Sequence, residues 1–260
     1  MTVKLPKSYE NSLRQAADWL TGGELLPVDL FHICERLGVT VSRSSDVPAR
    51  RAQIVSFNDK PNILLGSSRS SISIELNDRE RFLVAHELGH LILYKEHNAK
   101  PLGKSEYWKH EQLCDSFAQW LLIPAYIAHD AATNGDSSAG ARLNATCELE
   151  RNARVPWEVS ASSISALDQH VAFFKIADID QSHLRVRFST LPNKKAIHQK
   201  MERTSLIGKS LLAICPRSSI QDLDSAIIRE VLWSDANSCA AVRPDKWEFR
   251  VAAVSSSASR

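Results

Sequence analysis

The 260-residue sequence lacks the marks of a secreted or membrane-spanning protein. No apolar run approaches the ~20 residues that a helix needs to cross a bilayer. Residues 1–7 meet polar side chains too early to form the apolar core of a signal peptide. We therefore expect a cytoplasmic protein that has no membrane partner.

Cysteine is scarce and follows no pattern. The chain has five cysteines, an odd number, and no two of them have C-x-x-C spacing. These features argue against a disulfide framework and against a structural zinc site, and they favour reduced thiols in the cytosol. The five residues are Cys34, Cys114, Cys147, Cys215 and Cys239.

Charge of one sign is also lacking. The formal net charge is +2, and the local basic groups favour a solvated surface over a phosphate-binding track. We therefore predict no direct binding of nucleic acid. A glycine-rich phosphate loop, a Ser/His/Asp set and internal repeats are absent from the sequence as well. The basic groups are Arg43, Arg50 and Arg51, and Lys194, Lys195, Lys200 and Arg203.

One motif carries chemistry: His86-Glu87-Leu88-Gly89-His90. Two histidines four positions apart lie on one face of a helix and can bind a single Zn²⁺, while the glutamate between them can act as a base. Asn77 is a suitable N-cap, and no proline or glycine interrupts the chain from there to Gly89. The alternative is that both histidines only meet polar groups of the core. The helical context favours a metallopeptidase motif.

A third ligand is expected downstream, because catalytic zinc sites usually have three protein ligands. Apolar residues recur with a helical period from Leu113 to Leu122, and Pro124 ends the run. Glu111 and Asp115 share one face of this helix. We predict that Glu111 completes a His₂Glu site and that Asp115 accepts a hydrogen bond from the far nitrogen of a liganding histidine.

The assignment of the third ligand has alternatives. Glu111 and Asp115 could form a solvated face, and His110 and Cys114 are rival metal donors. His110 lies about 100° around the helix from Glu111, which favours a surface position, and Cys114 falls in the apolar stripe. His97 follows the motif helix too closely and is expected to be exposed.

Two segments together resemble the ImmA/IrrE family of metallo-endopeptidases. Members carry R-F-x-x-A-H-E-L-G-H followed by E-x-x-A-[ND]-x-F-A-x-x-L-L-x-P. This sequence has the first pattern at residues 81–90 and the second at 111–124, with Cys114 in place of the usual alanine. Segments 27–30 and 35–39 also look like the N-terminal helices of the family. The resemblance covers about the first half of the chain.

The resemblance implies a zinc-dependent, gluzincin-like endopeptidase. Zn²⁺, or Mn²⁺ as the alternative, would be bound by His86, His90 and Glu111, with Glu87 as the catalytic base. It also implies a protein substrate, a helix-turn-helix transcriptional repressor whose cleavage relieves repression. The alternative function is a non-cleaving anti-repressor module that keeps the metal site. The intact Glu87 favours the enzyme, since a binding scaffold needs no base beside the metal.

The pattern along the chain predicts an α+β protein with a zincin-like metallopeptidase domain and a smaller strand-rich domain. We assign residues 1–130 to the first, 131–169 to a linker and short helical pair, and 170–260 to the strand-rich accessory domain. One of three strands before the motif helix is expected to pair with extended substrate. Helices are predicted at 10–20, 28–37, 142–154 and 160–169, and strands at 52–57, 62–65, 71–76, 171–176, 184–188 and 247–254.

Overall fold

The computed structural model describes residues 7–23, 25–57, 60–66, 75–98, 103–133, 137–178, 183–191, 200–202, 221–223, 240–245 and 248–254. The chain forms two compact units, Met1–Ala125 with Arg151–Pro156 and Tyr126–Glu150 with Trp157–Arg260. Helices and small sheets make this a mixed α+β protein. In the described ranges, no helix has both the length and the apolar character to cross a membrane.

Two of the four helices of the first unit, α2 (Leu30–Leu37) and α3 (Asp78–His97), begin and end at residues suited to these positions. Asp29 caps α2 by accepting hydrogen bonds from two backbone N–H groups, and Gly38 ends it at a φ of 66°. Asn77 caps α3 in a reciprocal capping box with Glu80. The predicted cap of the motif helix is therefore confirmed. The helices are α1 (Lys7–Thr21), α2 (Leu30–Leu37), α3 (Asp78–His97) and α4 (Lys104–Leu122).

A three-stranded sheet packs against α3. It contains β1 (Thr40–Ser44), β2 (Ala52–Phe57) and β3 (Lys60–Gly66) in the order β1-β3-β2. β1 pairs with β3 in parallel and β2 pairs with β3 antiparallel, so the predicted hairpin is confirmed. The predicted strand at 71–76 lies largely outside the described residues. Among those described, β2 is an edge strand.

The contact between α3 and α4 depends on a glycine inside the motif. A Cβ atom added to Gly89 would lie 3.1 Å from Cδ1 of Phe117 and 3.2 Å from Cα of Cys114. The missing side chain lets the two helix backbones approach closely. Phe117 is fully buried at this contact, which contributes about 2–3 kcal/mol. Gly89 thus fixes the distance between the two helices that carry the predicted ligands.

The second unit combines helices with a six-stranded antiparallel sheet of order β6-β5-β4-β9-β8-β7. Trp157 is buried, with its ring edge-on to Phe173 and Phe188. The helix α6 (Ala139–Ala153) begins three residues before the predicted helix at 142–154. The elements are α5 (Ala125–Thr133), α6 (Ala139–Ala153), α7 (Trp157–Leu167), β4 (Val171–Asp178), β5 (His183–Ser189), β6 (Lys200–Glu202), β7 (Gln221–Leu223), β8 (Ala240–Asp245) and β9 (Glu248–Val254).

Candidate metal centre

The two motif histidines project from successive turns of α3. Their Nε2 atoms lie 3.1 Å apart. Both side chains are mostly buried, with 11% and 27% of the His86 and His90 side chains exposed. The helical spacing therefore brings two nitrogen donors to one point.

Glu111 of α4 reaches the same point from the facing helix. Its Oε2 atom lies 3.4 Å from Nε2 of His86 and its Oε1 atom 3.2 Å from Nε2 of His90. The ligand atoms of this trio all lie within 4.8 Å of one another. The structure thus brings together His86, His90 and Glu111, as the sequence pattern predicts.

The donor set fits a divalent metal. Zinc ligands at about 2.0–2.1 Å in tetrahedral geometry are separated from one another by about 3.3 Å, close to the separations found in this trio. Nδ1 of His86 lies 2.8 Å from Oδ1 of Asp115, so the proton belongs on Nδ1 and the lone pair of Nε2 faces the centre. Lone pairs from nitrogen and carboxylate oxygen then converge, and a cation would relieve their repulsion.

The two histidines differ in their acid–base behaviour. Burial opposes the charged form of His86, but the hydrogen bond and negative charge of Asp115 outweigh it and raise the pKa of His86 above its usual 6.5. Burial, together with the charge of His86, lowers the pKa of His90. Asp115 therefore hydrogen-bonds His86 of the pair, the type of contact that the sequence predicts for it.

Glu87, which lies between the two histidines on α3, contacts β2. Its Oε2 atom accepts a hydrogen bond of 3.0 Å from the backbone N–H of Ile54, and 8% of the residue is exposed. Burial raises the pKa of Glu87 above its ordinary value. A buried carboxyl with a raised pKa beside a metal site has the properties of a proton-transfer group.

The sequence pattern did not indicate two groups that lie at the site. The Ile54 N–H comes from a strand distant in sequence, and no local signal indicates it. Tyr107 lies one turn before Glu111, and desolvation together with the neighbouring Glu111 carboxylate raises the pKa of this tyrosine. The four-residue spacing on a helix could have indicated Tyr107.

The rival donors lie elsewhere. Cys114 is fully buried, and burial raises the pKa of its thiol, which disfavours the thiolate that metals require. His110 is buried with its ring edge-on to Tyr9, so its predicted surface position is wrong. His97 is only partly exposed because its ring packs 4.5 Å from Tyr9, which corrects the prediction of an exposed residue.

A pocket of about 450 Å³ adjoins the trio at His90. One wall comes from β2 and the other from the second half of α3. Its apolar lining suits a hydrophobic side chain, because burial of such a group removes apolar surface from water. The wall residues include Ile54, Val55, Pro61, Leu91 and Tyr94.

Comparison with known proteins agrees with this geometry. Residues 34–164, half of the chain, match the sequence profile of the peptidase M78 family, described as the IrrE N-terminal-like domain. The chain belongs to this family, which confirms the resemblance to ImmA/IrrE proteins. No curated protein matches the chain.

One similar solved structure is described as a Mycobacterium tuberculosis transcriptional regulator. The TM-score is 0.53 and the sequence identity is 12%, over 95% of this chain and 78% of that chain. At this identity the likeness supports the fold alone.

Proposed function

We propose that this protein is a metal-dependent endopeptidase that hydrolyses a peptide bond in a protein partner. The observation that carries the proposal is the convergence of His86, His90 and Glu111 on one point, with the buried Glu87 carboxyl beside them. The metal is proposed to be zinc, with manganese as the alternative. Residues 1–130 would form the zincin-like catalytic domain.

In the proposed mechanism, the metal and Glu87 have separate roles. A bound zinc ion supplies Lewis-acid polarisation of a carbonyl and lowers the pKa of water. Glu87 takes a proton from the attacking water on a carboxylate oxygen and returns it to the leaving nitrogen. The Ile54 N–H holds that carboxylate in place, and the raised pKa of Glu87 brings proton uptake and release closer to neutral pH.

The edge strand β2 offers a place for an extended substrate. Ile54 lies opposite Ile63 of β3, yet its N–H donates to Glu87, so its backbone groups face away from β3. Backbone groups alternate along a strand, and those of Ala52 and Ser56 therefore face the same way. A peptide pairing with this edge would pass beside the metal site, and one of its side chains would enter the apolar pocket.

The proposed substrate is a helix-turn-helix transcriptional repressor, and its cleavage would relieve repression. This part of the proposal rests on the family to which the chain belongs. Residues 170–260 are proposed to be an accessory domain for recognition of the protein partner. A repressor substrate requires the enzyme to act in the cytoplasm.

The proposal is tested with a helix-turn-helix repressor encoded next to this gene. Zinc-loaded wild-type protein should cut it at a defined bond, identified by mass spectrometry. Glu87→Gln should keep stoichiometric metal but cut about 10²- to 10⁴-fold more slowly, because an amide cannot accept the proton. Full activity of a metal-loaded Glu87→Gln protein would refute the mechanism. Tight binding without cleavage by the wild type would support the anti-repressor alternative.

A further inference from the structure

A second pocket, of about 290 Å³, lies where β2 begins, β3 ends and α3 starts. Arginines from three parts of the chain line it: Arg43 from β1, Arg50 and Arg51 from the segment before β2, and Arg79 from the first turn of α3. We call it the arginine pocket. No feature of the proposed proton transfer requires these side chains.

The pocket carries an excess of positive charge. Arg43 forms an ion pair with Glu80, which neutralises one guanidinium. Arg50, Arg51 and Arg79 are exposed, and within the described part of the chain their guanidinium groups have no hydrogen bond or ion pair. The nearby Asp78 faces Arg154, with 3.9 Å between Oδ1 and Nε. Three guanidinium groups thus remain available around one concave surface.

The backbone of this region is held in place. The N–H of Gly66 donates a hydrogen bond to the carbonyl of Arg51, and a Cβ on Gly66 would lie 1.9 Å from the carbonyl oxygen of Pro48. Arg50 has a φ of 65°, a conformation that costs a non-glycine residue free energy. Close packing against the end of β3 therefore fixes the directions in which Arg50 and Arg51 leave the chain.

The pocket lies just before the start of β2, the strand that binds the proposed catalytic base. Arg51 precedes Ile54, the residue whose N–H binds Glu87, by three positions. At about 3.3 Å per residue, the two positions are about 10 Å apart along the strand. A peptide extended along β2 covers this distance in about three of its own residues. The apolar pocket lies toward the other end of β2.

We propose that the arginine pocket binds the carboxylate of an aspartate or glutamate in the peptide substrate, about three residues from the scissile bond. Guanidinium groups match carboxylates in geometry as well as in charge, and a concave site with several arginines concentrates that charge. This inference rests on the proposed function, since it takes the substrate to be a peptide paired with β2. It adds a preference for acidic residues on one side of the cut.

Cleavage profiling shows at which substrate position an acidic residue is preferred. Zinc-loaded wild-type protein is incubated with an equimolar mixture of synthetic peptides of varied sequence, and the cut sites are read by mass spectrometry. Acidic residues should be enriched about three positions from the cut, on one side only. The double variant Arg50→Gln/Arg79→Gln should reduce this enrichment, and the control Arg151→Gln/Arg187→Gln, which loses the same charge at two exposed positions, should retain it. Cleavage without acidic enrichment would overturn the inference but leave the proposed function intact.

A binding experiment tests the preference for acidic residues without any cleavage of the peptide. A labelled peptide with glutamates beside an apolar segment and its glutamine twin are titrated into zinc-loaded Glu87→Gln protein. The acidic peptide should bind about fivefold more tightly, as expected for a partly exposed charge-assisted contact, and the difference should shrink at high salt. Arg51→Glu should abolish or reverse the preference. Equal affinities for the twins would overturn the inference, whether or not any peptide is cut.

Discussion

The helices that carry the candidate metal ligands and the six-stranded sheet differ in the kind of side chain that they bury. α3 buries the titratable groups of His86 and Glu87, whereas β4 buries an almost continuous series of apolar side chains around Phe173 and Phe174. Burial of ionisable groups costs free energy unless partners or a metal compensate, while burial of apolar groups stabilises the fold. Among the described residues, the candidate metal ligands therefore belong to the first unit, whereas the apolar side chains of this sheet stabilise the second.

Removal of the third ligand should give the largest effect on the metal centre. Glu111→Ala should lose most bound metal, because two histidines alone leave the site incomplete. Substitutions outside the ligand set typically lower metal affinity by roughly 10- to 100-fold, a smaller effect. Metal content after dialysis is the measurement, with the exposed neighbour substitution Gln112→Ala as control. Stoichiometric, tightly held metal in Glu111→Ala would require another residue as third ligand.

A core change in the second unit should separate stability from metal binding. Trp157→Ala removes a fully buried ring that contacts Phe173 and Phe188, and it should lower the free energy of unfolding by about 3–5 kcal/mol. Metal content of the folded variant should equal that of the wild type. Leu167→Ala, at a half-exposed position, serves as the mild control. Loss of metal from folded Trp157→Ala would break the comparison between the units.

The smallest effect should come from the partner of a ligand. Asp115→Asn should weaken metal affinity or activity by roughly 10- to 100-fold, because it removes the charge that orients His86 and raises its pKa. Competition with a chelator of known affinity measures the change. His86 of the same variant should bind a proton less tightly than in the wild type. When the metal affinity of each protein is expressed relative to its own affinity at neutral pH, metal loss on acidification should therefore begin at a lower pH in the variant than in the wild type. Unchanged affinity would show that Asp115 is only a surface neighbour.

The parts of the structure that sequence predicted are those with local causes. The Asn77 cap, the four-residue histidine spacing and the helical period around Glu111 all act within a few turns, and both of the helices that they predict are present. The parallel pairing of β1 with β3 and the Ile54–Glu87 hydrogen bond join segments distant in sequence. Periodicity alone contains no information on such contacts.

The sequence also predicted the burial of individual side chains poorly. His110 occupies a helix face that a simple wheel assigns to solvent, but Tyr9 of α1 covers it. Packing between helices decides such positions, and a single-helix pattern does not show which neighbour covers which face.

X-ray absorption spectroscopy of the zinc-loaded wild type identifies the metal ligands. We expect one zinc ion per chain, with nitrogen and oxygen neighbours at about 2.0–2.2 Å that include two imidazoles and a carboxylate. Glu87→Gln should give the same spectrum, since Glu87 is not a ligand. A sulfur neighbour at about 2.3 Å, or a protein that binds no stoichiometric metal, would contradict the assignment of His86, His90 and Glu111.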